Sequence, residues 1–305
     1  MKSNNLKQKK YKKICCPKCK SNYVKKNGVR QTQNRGLIQR YKCKNCSYRF
    51  VQDLGFFRMR NNPKKITCAI DLFYKGVSTR QIQSHLQAFY PANSSWVTIW
   101  SWVVKYSNLI HNKVKNIKLR IGQEIQIDEM EYGNRKREQT KTYWFIDCID
   151  TTTRYMISSE LVNNREQKEI KKILNSAKFK TENQIKIVTT DGYLAYKNAI
   201  KKVFGYYNLK NKSIRHNQVN ASQGEGFNHK IERLHNSIRH RTKTFRGFKN
   251  LQSANAIMKG YEIYYNFIRK NLAIGCCPYE LATDIKLKSP NKWLELIELS
   301  QENGN

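Results

Sequence analysis

Two Cys-x-x-Cys pairs, Cys16 with Cys19 and Cys43 with Cys46, are separated by 23 residues within CCPKCKSNYVKKNGVRQTQNRGLIQRYKCKNCSYRF, residues 15–50. Four thiolates at that spacing close a tetrahedral zinc site. A unit this short cannot be held by burial alone, so the metal supplies its folding energy. Pro17 and Asn45 fall inside the two knuckles, and the segment between them reads as a hairpin turning near Asn34-Arg35-Gly36. The chain has nine cysteines, an odd number, which argues for metal ligation in a reducing compartment over a disulfide framework. Cys15 adjoins Cys16 and competes with it as a ligand. Cys68, Cys148, Cys276 and Cys277 have no ligand-like neighbours and read as core or surface thiols.

Charge narrows the partners. Lys and Arg number 58 against 22 Asp and Glu, a net charge of +36 spread along all 305 residues. A folded protein this basic meets a polyanion, and nucleic acid is the expected one, because neutralising phosphates releases condensed counterions. A membrane surface is the competitor. No apolar run approaches transmembrane length, and the opening MKSNNLKQKKYKK lacks the apolar core of a signal peptide. The expected location is the cytoplasm, in association with the nucleoid, with no membrane partner.

Beyond residue 61 the period becomes helical. Asn62 can cap, Pro63 takes the first helical position, and Gly76 ends a helix over 64–75. Ser78-Thr79-Arg80-Gln81 forms a capping box for a second helix. Ser94 or Ser95 caps a third, along which Trp96, Ile99, Trp100, Val103 and Tyr106 recur at helical spacing. Three short helices with tight turns read as a helix-turn-helix module beside the zinc unit; a generic helical linker is the blander alternative.

From residue 121 the pattern changes again. IQIDEM, KTYWFIDCID and RYMISSELV are short runs rich in aromatic and β-branched residues. A helix over 166–177, a strand over 184–190 and a helix over 193–204 follow; residues 205–228 read as a polar loop, and NHKIERLHNSIRHRT, residues 228–242, as a further helix. The order is β-β-β-α-β-α-loop-α. In the last helix Ile231, Leu234 and Ile238 form an apolar stripe, and Glu232, His235 and Arg239 a polar one about 100° around the axis.

Asp128 ends or nearly ends the first strand, and Asp191 follows directly on the fourth. If those strands are neighbours, the carboxylates lie side by side, and Glu232 arrives from the helix across that edge. Three oxygen ligands from separate elements suit Mg²⁺ or Mn²⁺. Such ions activate a hydroxyl nucleophile and stabilise a leaving oxygen at phosphorus. Glu129 and Glu131 are rivals of Asp128, and each acid also has an ordinary reading as a strand-end, turn or surface carboxylate.

The stretches IDEMEY, TTDGYLAYKNAI and NHKIERLHNSIRHRTKTFRGFKNLQSANAIMKGYEIYYNF resemble those of DDE insertion-sequence transposases that carry an N-terminal zinc ribbon. The resemblance runs from Cys16 to about Asp284 and implies a ribonuclease-H-like catalytic core. It makes Asp128, Asp191 and Glu232 the metal-binding triad and sets Arg239 against DNA phosphate, with His235 and Arg241 as further candidate DNA contacts. His235 is open to two other readings, orienting Glu232 or polar packing. The 40 residues between Asp191 and Glu232 are long for the family, which implies a loop insertion near 205–220 and leaves Glu225 as a minor rival to Glu232.

The expected organisation is multidomain: a zinc-ribbon β unit over 1–55, an all-α helix-turn-helix module over 56–115, an α/β ribonuclease-H-like core over 116–285 with a mixed sheet flanked by helices, and a polar tail over 286–305. The implied activity is a DNA transposase that binds terminal inverted repeats, cleaves by two-metal hydrolysis and joins the 3′-hydroxyl to target DNA. Its implied cofactors are Mg²⁺ or Mn²⁺ in the catalytic site and structural Zn²⁺. Its implied partners are double-stranded transposon ends and target DNA, in a homodimer or larger synaptic complex. The alternatives are a transposase-derived DNA-binding regulator without activity and a ribonuclease-H-like nuclease without strand transfer.

Overall fold

The structure is a computed structural model that describes residues 14–32, 36–52, 54–90, 94–133, 142–205, 214–219, 228–245, 248 and 250–301. Glu225, Gly247 and the turn at Asn34-Arg35 lie outside them. The chain divides into two compact units, residues 1–63 with 301–305 and residues 64–300.

The first unit carries an antiparallel sheet of β1 (Val24–Thr32), β2 (Gly36–Cys43) and β3 (Arg49–Val51) in that order. The register brings Thr32 opposite Gly36 and Val24 opposite Cys43, so the start of β1 and the end of β2 share one edge. Cys16 and Cys19 precede β1, while Cys43 and Cys46 bracket the turn into β3. Little apolar surface is hidden here: Tyr23, Val29, Leu37, Tyr48 and Val51 are exposed, whereas Cys16, Cys43 and Phe56 are buried.

The second unit begins with α1 (Pro63–Tyr74), α2 (Thr79–Phe89) and α3 (Trp96–Val114). Ser78 and Gln81 make the reciprocal capping box expected for α2, and the Ser95 hydroxyl accepts from Thr98 N–H at the start of α3. β4 (Glu124–Gly133), β5 (Thr142–Asp150), β6 (Met156–Val162), α4 (Gln167–Lys180), β7 (Ile187–Thr190) and α5 (Leu194–Phe204) follow. β8 (Arg215–Gln218) comes next, where the sequence reads as loop. RHNQ has no apolar alternation; it is a strand because it adds to the open edge of β7, and edge strands need no buried face. The chain then forms α6 (His229–Thr242), α7 (Leu251–Ile263), α8 (Pro278–Ala282) and α9 (Lys292–Ser300).

The sheet order is β6-β5-β4-β7-β8, with antiparallel pairing on one side of β4 and parallel pairing on the other. This mixed sheet with helices on both faces is a ribonuclease-H-like core. Alternation along the strands sorts the layers. Ser158 bonds to the Ile173 carbonyl of α4 and Glu129 to Tyr196 of α5, while the opposite-facing Ser159 bonds to Glu262 of α7 and Asp128 lies against His235 of α6.

Two features differ from expectation. The three leading helices share a core with the α/β segment, because α3 packs along α7, where the Tyr74 hydroxyl bonds to Ser107 and to the Ile257 carbonyl. The expected polar tail instead carries α9, whose Trp293, Leu296 and Ile297 are buried and whose Trp293 indole donates to Asp71. Three apolar positions in nine residues are enough to seat a helix on a surface already built by α1 and α3.

Candidate functional site

β7 pairs with β4 from Glu124↔Ile187 to Gln126↔Thr189. Continued for two residues, that register brings Asp128 level with Asp191, at the point where β4 runs on and β7 stops. Asp128 therefore sits inside β4, which extends to Gly133, and not at its end as the sequence suggests. Its position is special because the β7 partner has just ended, opening a gap beside it. Asp191 is fixed by the Tyr193 N–H, which donates to Oδ1 at 2.9 Å.

One oxygen each from Asp128, Glu129 and Asp191 falls within a 4.8 Å group. Three carboxylates so close repel one another, and a hard divalent cation with oxygen ligands relieves the repulsion. Burial pushes Asp128 up to about 7, against the pull of His235 and of the Glu129 N–H. Glu129 already has partners: Arg165 Nη1 at 2.8 Å and the Tyr196 hydroxyl. Strand alternation points it to the α5 face, away from α6. The Arg165 guanidinium lies between the rings of Trp144 and Tyr193, 4.3 and 4.5 Å from their centroids, so the cation that neutralises Glu129 is itself clamped.

On the other face α6 runs alongside β4, held at three places. The buried Ile231 N–H donates to Gln126 Oε1 at 3.1 Å, His235 Nδ1 lies 3.6 Å from Asp128 Oδ2, and the Tyr132 hydroxyl meets Thr242 Oγ1 at 3.2 Å. Glu232 lies between the first two attachments, exposed, and is not one of the acids in the 4.8 Å group. Arg239 is exposed two turns further on.

His235 is neither a surface contact nor a partner of Glu232. It is 3 % exposed, and its Nε2 donates to Asp147 Oδ1 at 2.6 Å. Asp147 stands directly opposite Asp128 on β5 and is fully buried. Like charges paired across a sheet are destabilising, and the imidazole stands between the two acids, bonded to Asp147 and 3.6 Å from Asp128. Burial lowers the His235 pKa, but the charge and hydrogen bond of Asp147, with the charge of Asp128, outweigh it and raise it. The dyad was missed from sequence, although an acid inside the apolar run YWFIDCID was a signal: a charge is buried only with a partner. Arg165 and Tyr196 were missed as well.

Arg241, a candidate DNA contact in the sequence, is 3 % exposed. Its guanidinium stacks on Phe73 and Phe245, at 4.2 and 4.3 Å, and burial brings its pKa down to about 10. Three residues past the buried Ile238, it lies on the buried side of α6, so it packs the leading helices against the core, with only an edge reaching the hollow beside His240.

The cysteine site is compact. Cys16 Sγ lies 3.6 Å from Cys46 Sγ, and Cys19 Sγ 3.5 Å from Cys43 Sγ. Zn–S bonds of about 2.3 Å make tetrahedral edges of about 3.8 Å, so the four sulfurs fit a single zinc with slight expansion. N–H groups of Cys46 and Asn45 point at Cys43 and bring its thiol down to about 6. The Ser21 N–H pulls Cys19 the same way, yet hydrogen bonds shared with Cys46, Cys43 and Cys16 leave it raised to about 12. Four sulfurs cannot all ionise together without a cation. Cys15 is exposed and bonds to Asn22, outside the cluster.

Among the described residues, no helix is long and apolar enough to cross a membrane. A family model described as a DDE domain matches residues 125–271, from the first residues of β4 to just beyond α7. No curated protein matches the chain.

Proposed function

Since residues 125–271 form a domain of the DDE transposase family, we propose that this protein cuts DNA at the ends of its own insertion sequence and joins the freed 3′-hydroxyl to target DNA. The observation that carries the reading is the convergence of Asp128 and Asp191 where β4 and β7 part, with α6 tied along the same face on either side of Glu232. Asp128, Asp191 and Glu232 would hold the divalent cations, Mg²⁺ or Mn²⁺. When bound, such ions activate a hydroxyl nucleophile and offset charge on the leaving oxygen.

Both steps balance without a cofactor that is consumed. Hydrolysis adds water across one P–O bond and leaves a 3′-hydroxyl and a 5′-phosphate. In joining, that hydroxyl displaces a 3′-oxygen from a target phosphorus, so one phosphodiester replaces another. The chain's own part is to fix three carboxylates on separate elements and to keep the imidazole of His235 between Asp128 and Asp147. Arg239, exposed on the Glu232 side of α6, is the candidate contact to a DNA phosphate near the cut. The cysteine-bound unit, with zinc, and the helices α1 to α3 are the candidate readers of the terminal repeats, and pairing of two ends implies a homodimer or larger assembly acting at the nucleoid.

The test is joining of a labelled, pre-cut insertion-sequence end to plasmid by purified full chain, with Mg²⁺ or Mn²⁺ and with chelator. Metal-dependent joined product is expected, lost in Asp128→Asn, Asp191→Asn and Glu232→Gln while end binding persists. Glu129 competes for the third position because its oxygen is in the 4.8 Å group. Loss of metal binding in Glu129→Gln, with Glu232→Gln unaffected, would transfer the role to Glu129.

A further inference from the structure

α6 has a second polar edge. Lys230, Arg233 and Ser237 recur at the spacing of one helix face, on the side away from the acids. They open on a cavity of about 270 Å³ whose other walls are Arg154, from the turn between β5 and β6, and Tyr265, Arg269 and Asn271, from the chain after α7. Among the described residues no carboxylate lines it. Some cations of this basic chain are paired, such as Arg165 with Glu129, Lys75 with Asp71 and Lys172 with Glu169. Among the described residues, none of Arg154, Lys230, Arg233 and Arg269 makes an ion pair.

Gathering four like charges around one cavity is unfavourable unless an anion enters it. Arg154 adds to that cost. Its φ is +61°, in the left-handed region where side chains other than glycine are strained, and its Nε is buried with no hydrogen-bond acceptor among the described residues. The volume, about 270 Å³, has room for a phosphodiester group together with water. A second hollow shares Arg233, Ser237 and Arg269 and extends past His240 and Arg241 to Lys75, the last paired with Asp71; among the described residues no carboxylate lines it directly. A row of anions spaced along a polymer fits this better than one free ion.

We propose that the cavity binds a backbone phosphodiester of duplex DNA, and that the adjoining hollow takes a neighbouring phosphate. This rests on the transposase reading for the identity of the polymer. A helix is ~10–12 Å across, about three steps of 3.4 Å along a strand, so a backbone seated here reaches the acid edge of α6 a few nucleotides later. The cavity would set where on the strand the acids act.

The experiment measures binding of a short fluorescein-labelled duplex to full chain over a series of salt concentrations. It compares wild type, Arg233→Gln with Arg269→Gln, and the charge-keeping pair Arg233→Lys with Arg269→Lys, each checked by thermal melting. In the glutamine pair the slope of log K against log salt should flatten by about 0.9 for each phosphate that is no longer neutralised, and in the lysine pair most of it should return. Equal slopes in all three would overturn the proposal, as would a polyglutamate peptide that needs these arginines when the duplex does not. Metal-dependent joining is read in parallel. Joining by wild type with unchanged slopes removes the cavity and leaves the transposase reading; a flattened slope with no joining does the reverse.

Discussion

At the scale of single residues, the Asp147–His235 pair controls how Asp128 is presented. Asp147 is buried on β5, and its Oδ1 accepts from His235 at 2.6 Å, which fixes the ring so that Nδ1 faces Asp128. A group that orients a metal-ligating carboxylate from behind typically costs ~10–100-fold in metal affinity when changed. Asp147→Asn keeps the volume but removes the charge that raises the His235 pKa and weakens the acceptor that fixes its ring, so Mn²⁺ affinity should fall by about that factor, read by titration with the fold checked by melting. Wild-type affinity in the variant would show that the dyad only packs. The residue scale also shows what sequence can carry. Asp191 was legible as an acid at a strand end and turn, whereas Asp128 lies inside β4 at a place that only the pairing with β7 marks, and Glu232, read from its stripe with His235 and Arg239, stays outside the acid group, its ligand role a proposal. The partner of His235 was not legible: β5 contributes Asp147 through cross-strand register, which no local period encodes. Arg241 misled for the opposite reason, since an arginine in a basic helix looks exposed until the aromatic rings that bury it are known.

At the scale of elements, the seam between α7 and the leading helices decides whether those helices are an independent module. A Cβ added at Gly260 would collide with the Tyr74 hydroxyl and Ser107 Oγ, so α7 and α3 are closer than a side chain allows. Gly260→Ala should cost ~1–3 kcal/mol by overpacking, a drop of several degrees in melting temperature for a unit of this size. A neutral result would mean that the seam is loose. His111 lies on α3 near Lys115, Lys180 and Lys259; burial first, then those charges, bring its pKa down to about 3. The unfolded chain binds that proton at about 6.5, so the stabilising contribution is present above 6.5 and is lost as pH falls toward 3. Denaturation of His111→Gln should therefore be less sensitive to acid than wild type through that window; parallel pH profiles would place His111 in water. Helix caps and strand runs were readable here because each is local. β8 and α9 were not, because a polar edge strand and a short helix acquire their structure from the surface they join.

At the scale of the whole molecule, the two compact units are held by different physics. Residues 64–300 bury long apolar rows from helices and sheet alike, while the first unit leaves Tyr23, Val29, Leu37, Tyr48 and Val51 exposed around a cysteine cluster. Burial cannot hold so small a unit, and structural zinc in small domains supplies ~10–16 kcal/mol of apparent free energy. Chelation of the metal should abolish amide-exchange protection in β1 and β2 and leave the melting transition of residues 64–300 where it was. Cys43→Ser should reproduce that effect without chelator, because Cys43 is a buried sulfur whose thiolate the backbone N–H groups of Cys46 and Asn45 stabilise. Retained protection in β1 and β2 after the metal is gone would mean that the strands hold themselves together. A single transition that falls in both units would mean that the metal supports the whole chain. With the units separable in this way, the chelated protein should still join a pre-cut DNA end once Mg²⁺ is returned, and should lose preference for its own ends if the cysteine unit reads them.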